Sequence, residues 1–318
     1  MTSQHYHLRG YAYIAAATFC WGVSATLGRA AFTGRLLPGG ESLPPIDALL
    51  ISQTRTSITF LILFPIMLAW RGVGSLRISG REAGNIIVYG LIGQAATNYF
   101  YYLAIERTNV ATAIVIQYTA PVWVLLYLAA RGKQWPTLRR LAAVGLAVAG
   151  SALVINIFGS QLPLDRLGLG AAFLSALTFA FSNVWGHHIL QKRDRWTVLL
   201  YTTLTASLFW LVINPPWKLL ALQLTGLQWL FLFFFSIVSV LLPLSLYYVG
   251  LQLLEPTNAI VASCLEPVFA IAIAAIALGE SMNSLQAAGI VLVLAAITIV
   301  QWPEAKGQGA PIPLDPGD

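Results

Sequence analysis

Long apolar runs separated by short polar breaks make up almost the whole chain. A helix that crosses a bilayer needs about 20 apolar residues at a rise of ~1.5 Å each. Ten runs of that order can be placed, over residues 8–31, 46–70, 83–105, 108–130, 138–157, 167–190, 195–214, 226–252, 257–279 and 284–302. Polar residues inside the runs recur at helical spacing, as in Gln94, Asn98, Tyr101 and Tyr102. The fold class expected is therefore all-α and integral to the membrane, with ten transmembrane helices. The connections are short and carry chain breakers, among them Pro38-Gly39-Gly40, Pro44-Pro45 and Asn214-Pro215-Pro216. None is long enough for a soluble domain. The first run begins at Leu8 and is longer than the core of a cleaved signal peptide. Residues 303–318, rich in Pro and Gly, read as a disordered cytoplasmic tail.

One stretch is written twice. Residues 101–123 and 247–269 align without a gap at an offset of 146, with seven of 23 positions identical. The matches include Tyr101/Tyr247, Tyr102/Tyr248 and Pro121/Pro267. A weaker likeness joins Ala15–Phe19 to Ser175–Phe179 at an offset of 160, the difference lying in the loops between. Five spans per half is an odd number, so the second half would enter the membrane upside down. The expectation is two inverted five-helix repeats, over 8–157 and 167–302. Such duplicated halves are a mark of secondary transporters, where repeats rock about a central site.

Composition agrees with lipid as the solvent. The chain of 318 residues is 58% hydrophobic and 9% charged, whereas soluble domains carry roughly 25% charged residues. The net charge of +6 does not indicate nucleic acid, because the basic residues sit in short loops. Twelve Lys and Arg fall on one side, five on the other, and Arg55 lies within a span. The excess places both termini in the cytoplasm. Cys20 and Cys264 lie inside apolar runs and read as packing residues.

Trp21-Gly22 in the first run, Glu266-Pro267-Val268-Phe269 in the ninth and Leu278-Gly279-Glu280 at its end form a recognisable set. With the five-plus-five arrangement, it resembles the drug/metabolite transporter superfamily, EamA type, over about Leu8 to Gln301. Within that superfamily the chain looks most like the YddG-type exporters of aromatic amino acids and paraquat. The first half departs from the pattern, with Ala120 in the place of Glu266 and Gly132-Lys133-Gln134 in the place of Leu278-Gly279-Glu280.

Polar groups inside spans are costly, so each asks for a reason. Glu266 is the one acidic residue deep in a span. It is a candidate for proton coupling or cation binding, or else for a hydrogen bond that locks the bend at Pro267. The candidate substrate cavity is drawn from Thr18, Trp21, Gln94, Asn98, Tyr101, Gln117, Tyr118, Ser182, Asn183, Trp185, Tyr247 and Glu266. Amides, hydroxyls and rings together suit an amphipathic solute. For any single Ser or Thr, helix packing is the competing explanation. Pro121 and Pro267, at equivalent positions, are expected to bend spans four and nine and to serve as gating elements. Arg55 could bind a substrate carboxylate, but it reads first as snorkelling to an interface or bridging two helices.

The function these features imply is export of small amphipathic metabolites, most of all aromatic and other neutral amino acids, by alternating access. Export of cationic compounds, or of nucleotide sugars and organic phosphates, are alternatives within the superfamily. Phosphates would want basic residues in the cavity, yet all four lysines lie in loops or the tail. No H-E-x-x-H, C-x-x-C, G-x-S-x-G or P-loop appears. A membrane-embedded enzyme is thus the least supported class, and no cofactor or metal is expected. The expected partners are a small-molecule substrate, the lipid bilayer and, as a candidate coupling ion, protons, with the protein a monomer in the cell (inner) membrane.

Overall fold

A computed structural model describes residues 3–34, 44–108, 110–156, 165–278 and 283–301. The Pro38-Gly39-Gly40 loop, Gly279-Glu280 and the tail at 303–318 lie outside the described residues. Every regular element described is helical. Seven segments are long and apolar enough to cross a membrane: Leu49–Arg71, Thr112–Ala130, Arg166–Leu190, Arg195–Ile213, Gly226–Leu253, Pro256–Ile273 and Ser284–Gln301. The chain is a multi-pass membrane protein. The three other apolar runs are also helical, and the one expected over 138–157 ends as a helix at Val154.

Helix α1 spans Ser3–Thr33 and α2 spans Ala48–Arg71. The third run is composite: α3 (Gly80–Val88), a π-helical turn (Tyr89–Ala96) and α4 (Thr97–Arg107). The fourth is broken into α5 (Val110–Gln117) and α6 (Ala120–Ala130), and α7 covers Leu138–Val154. The second half begins with α8 (Arg166–Leu190) and α9 (Arg195–Ile213), then a short α10 (Pro216–Ala221). Next come α11 (Gly226–Ser236), a π-helical turn (Ile237–Leu241) and α12 (Leu242–Leu253). The chain continues as α13 (Pro256–Ser263), α14 (Leu265–Leu278) and α15 (Ser284–Gln301).

Helix starts follow from capping chemistry. Ser79 and Glu82 form a reciprocal capping box ahead of α3, and Thr225 and Gln228 do the same for α11. Asp194 accepts from the backbone of Trp196 and Thr197 to open α9. In the interior of the bundle the packing is reciprocal. Helix α1 packs on α12 and α14, while α8 packs on α4 and α6. Helices α12 and α14 stand 146 residues after α4 and α6, so the first helix of each half docks on the other half's third and fourth runs.

Close approach is bought by glycine. A Cβ on Gly22 would meet the Ala270 nitrogen at 3.0 Å, which brings α1 onto α14 and gives the Trp21-Gly22 pair its meaning. A Cβ on Gly150 would meet the Gly289 carbonyl at 2.9 Å, and one on Gly289 would meet the Gly150 carbonyl at 2.7 Å. Helices α7 and α15 therefore touch backbone to backbone in the small-residue mode of membrane helices. Outward faces are apolar, with Leu61 and Val212 well exposed, as lipid-facing surface requires.

Candidate functional site: a polar and aromatic cavity at the helix breaks

The fourth and ninth runs are interrupted at matching places. Helix α5 ends at Gln117 and α6 resumes at Ala120, while α13 ends at Ser263 and α14 resumes at Leu265. Proline has no N–H and its ring crowds the carbonyl four residues back. Pro121 and Pro267 therefore leave the Gln117 and Ser263 carbonyls without their helical donors. Both prolines were expected to bend continuous helices. Each instead sits in the first turn of a new one, where proline's fixed φ is favourable. The third and eighth runs carry the other irregularity. Their π-helical turns, at Tyr89–Ala96 and Ile237–Leu241, also coincide at the offset of 146. Thr97 Oγ1 donates to the Ile92 carbonyl five residues back, and Asn98 Nδ2 donates to that of Gln94 at 2.7 Å. Turns of this kind gather at functional sites.

These four irregular segments surround a cavity of about 110 Å³. That is room for several waters or the polar end of a small solute. Of the sequence-derived candidates, Trp21, Gln94, Asn98, Tyr101, Gln117, Tyr118, Ser182, Tyr247 and Glu266 line it. The Trp21 and Tyr247 rings meet at 5.1 Å between centroids and make one aromatic wall. Glu266 is packed about by protein and keeps surface toward the cavity. The Tyr118 hydroxyl donates to Glu266 Oε2 at 2.7 Å. That bond spans the two breaks, since Tyr118 lies in the gap between α5 and α6 and Glu266 opens α14.

Three candidates stand outside the lining. Thr18 is fully buried, with its hydroxyl on the Ile14 and Ala15 carbonyls, so it serves its own helix. Trp185 stacks on Phe181 at 5.4 Å and donates to the Asn85 carbonyl at 3.3 Å, behind the wall. Asn183 is also buried, donates to the Phe179 carbonyl at 2.9 Å and accepts from the Tyr247 hydroxyl. It orients a cavity residue without facing the cavity. All three carry a polar group inside an apolar run, but the sequence does not say which face of the run another helix covers.

Arg55, expected to snorkel or to bridge two helices, does the second. It does not snorkel. It is 6% exposed, lines the cavity and bridges helices: Nη1 donates to the Tyr102 hydroxyl and Nη2 to the Ser239 carbonyl at 2.7 Å. The guanidinium also lies 5.1 Å from the Tyr102 ring centre and 5.6 Å from that of Phe235. Its position as the one cation inside a span was a usable signal. Tyr89, Tyr102, Tyr248, Ser239, Ser24 and Thr97 add to the polar lining. Among the described residues no group of three or more His, Cys, Asp or Glu could hold a metal ion.

Away from the cavity, ion pairs join the halves at the end where Arg71 and Glu82 lie. Arg71 Nη1 pairs with Asp194 at 2.6 Å and Arg140 Nη2 with Glu255 at 3.3 Å. Arg193 makes a two-pronged contact to Glu82, with Nε at 2.8 Å from Oε1. The Arg193 guanidinium holds the Glu82 carboxyl at about 2, well below the ordinary glutamate value, with help from the Ser79 backbone.

Comparison with known proteins agrees with this architecture. The model of the EamA-like transporter family matches residues 8–156 and again 166–302. The uncharacterized inner membrane transporter YicL of Salmonella typhimurium is 22% identical over 221 residues, covering 69% of this chain and 73% of its own length. The threonine/homoserine exporter RhtA of Escherichia coli K12 is 24% identical over 273 residues, 82% of this chain and 85% of that protein. One crystal structure superposes with a TM-score of 0.70 at 18% identity, covering 94% of this chain and 98% of the other. At that identity the likeness is one of fold.

Proposed function

The chain belongs to the EamA-like transporter family, and we propose that it is a secondary transporter exporting small amphipathic metabolites, amino acids foremost. The observation that carries this reading is the cavity itself. It lies among helix breaks that recur in both halves, and its lining combines rings, amides, one carboxylate and one guanidinium. Such a lining complements a neutral solute that has both polar charges and an apolar body. The exporter relatives named for threonine and homoserine support the same class.

The mechanism is alternating access. Ten spans form two inverted repeats, and the reciprocal docking of α1 and α8 supports a pseudo-two-fold axis. Opening one end of the cavity requires the halves to part there. Pro121 and Pro267 are the pivots, because the broken helices have no continuous hydrogen-bond ladder to resist bending. Glu266 with Tyr118 is the candidate for proton coupling. The protein works as a monomer in the inner membrane with both termini in the cytoplasm. A second reading, export of flat cations, is favoured by Glu266 beside Trp21 and Tyr247.

The test is solute counterflow in proteoliposomes. The panel holds aromatic, aliphatic and charged amino acids, a nucleotide sugar and methyl viologen, with and without a pH gradient. Accumulation of neutral amino acids is expected. Accumulation of methyl viologen or the nucleotide sugar alone would overturn the assignment.

A further inference from the structure

The cavity contains a cation whose hydrogen bonding is unfinished. Arg55 is 94% buried, since only 6% of it is exposed, yet it lines the cavity. Two of its five N–H groups are used, on the Tyr102 hydroxyl and the Ser239 carbonyl. Among the described residues its Nε has no partner, and neither does the Ser239 hydroxyl on the same wall. The π-helical turn Ile237–Leu241 explains why Ser239 is available: the altered ladder turns its carbonyl to the guanidinium. Among the described residues no carboxylate forms an ion pair with Arg55.

An arginine at membrane depth with open donors is costly unless an anion completes it. The guanidinium fork matches a carboxylate in shape, with two parallel N–H···O bonds. The same cavity holds one carboxylate, Glu266, unpaired with Arg55, so the two charges present themselves separately to a solute. An α-amino acid carries the matching opposite charges on one carbon. A phosphate ester matches Arg55 but sets its negative charge against Glu266. A simple amine matches Glu266 and leaves Arg55 open.

We propose that Arg55, with the Ser239 hydroxyl, binds the solute carboxylate and sets the specificity of the cavity for free α-amino acids. This rests on the transport reading above. Tyr102 and the Ser239 carbonyl are positioning groups that hold the guanidinium in place.

The test is competition against counterflow of labelled L-phenylalanine and L-threonine in proteoliposomes. The competitors are each free amino acid, its methyl ester, phenethylamine and glycerol 3-phosphate. In the wild type the esters, the amine and the phosphate should compete at least about 10-fold more weakly than the free acids, the scale of a lost charge-assisted bond. Arg55→Lys keeps the charge and loses the fork. It should weaken the free acids about 10-fold or more and leave phenethylamine unchanged. Ser239→Ala, which removes only a hydroxyl and is the safer variant for folding, should shift the acids alone by a smaller factor. Equal competition by acid and ester in the wild type would overturn the proposal while leaving amino-acid transport standing. So would equal shifts of acid and amine in both variants. Preference for glycerol 3-phosphate would overturn it in favour of phosphate. Absence of counterflow with any amino acid would overturn both this proposal and the function on which it rests.

Discussion

Replacing Gly289 with Ala tests whether the two halves are joined by direct backbone contact. The new Cβ would lie 2.6 Å from the Val154 nitrogen, 2.7 Å from the Gly150 carbonyl oxygen and 2.9 Å from Leu153 Cβ. Carbon atoms at rest sit ~3.5–4.0 Å apart, so α15 must retreat from α7 by about 1 Å. Two of the three neighbours are backbone and cannot rotate away. Overpacking of this sort costs about 1–3 kcal/mol, and rigid neighbours place it toward the upper end. Ala is also a better helix former than Gly by about 1 kcal/mol, which masks part of the loss. Gly145→Ala is the control, because Gly145 lies in α7 and a Cβ there meets nothing within 4 Å among the described residues. The propensity gain is common to both variants, so their difference isolates the packing cost. The assay is the thermal midpoint in one detergent, read by fluorescence size-exclusion at a fixed heating time, since membrane proteins seldom unfold reversibly. Gly145→Ala should match or exceed the wild-type midpoint, and Gly289→Ala should fall below it by several degrees. Equal midpoints for the two variants would refute the reasoning.

Four other outcomes follow from the same contacts. Tyr118→Phe deletes the donor to Glu266 and should cost about 0.6–2 kcal/mol, the range for hydrogen bonds between membrane helices, together with a lower counterflow rate; wild-type rate and midpoint would remove the bond from the account. Pro121→Ala and Pro267→Ala restore a ladder donor at each break, so transport should slow while membrane insertion persists, and unchanged rates in both would end the pivot role. Glu266→Gln should abolish any dependence of transport on a pH gradient; persistence of that dependence would make the carboxylate structural. Glu82 is held at about 2, below the ordinary glutamate value near 4.5, so its pairing with Arg193 stabilises the fold above pH 4.5 and is lost as pH falls toward 2. Glu82→Gln should therefore lower the midpoint at pH 5, with the gap from wild type narrowing as pH falls through that window, and a gap that stays constant from pH 5 to 2 would contradict the pairing.

The sequence was most readable where a residue type has a single backbone consequence. Pro121 and Pro267 marked the two interruptions to within a few residues. Nine of the twelve cavity candidates line the cavity, because a costly polar group inside a span is seldom placed without use. Thr18, Asn183 and Trp185 share that signature but bond within the wall, and helical spacing alone cannot separate the two uses. For Arg55 the sequence leaves snorkelling and helix bridging both open, because the side chain is long enough for either; the tertiary partners Tyr102 and Ser239 decide for the bridge. The π-helical turns left no trace in composition. Gln94 and Ser239 could be chosen as polar residues, but not as residues of an altered ladder.

The measurement closest to the central claim is exchange across the membrane. Proteoliposomes loaded with unlabelled L-threonine or L-phenylalanine are compared with empty ones for the initial uptake of the same labelled amino acid. A carrier whose single cavity faces one side at a time returns faster when loaded, so internal amino acid should raise the rate of uptake. Uptake indifferent to internal amino acid, or seen equally in liposomes without the protein, would contradict alternating access through this cavity.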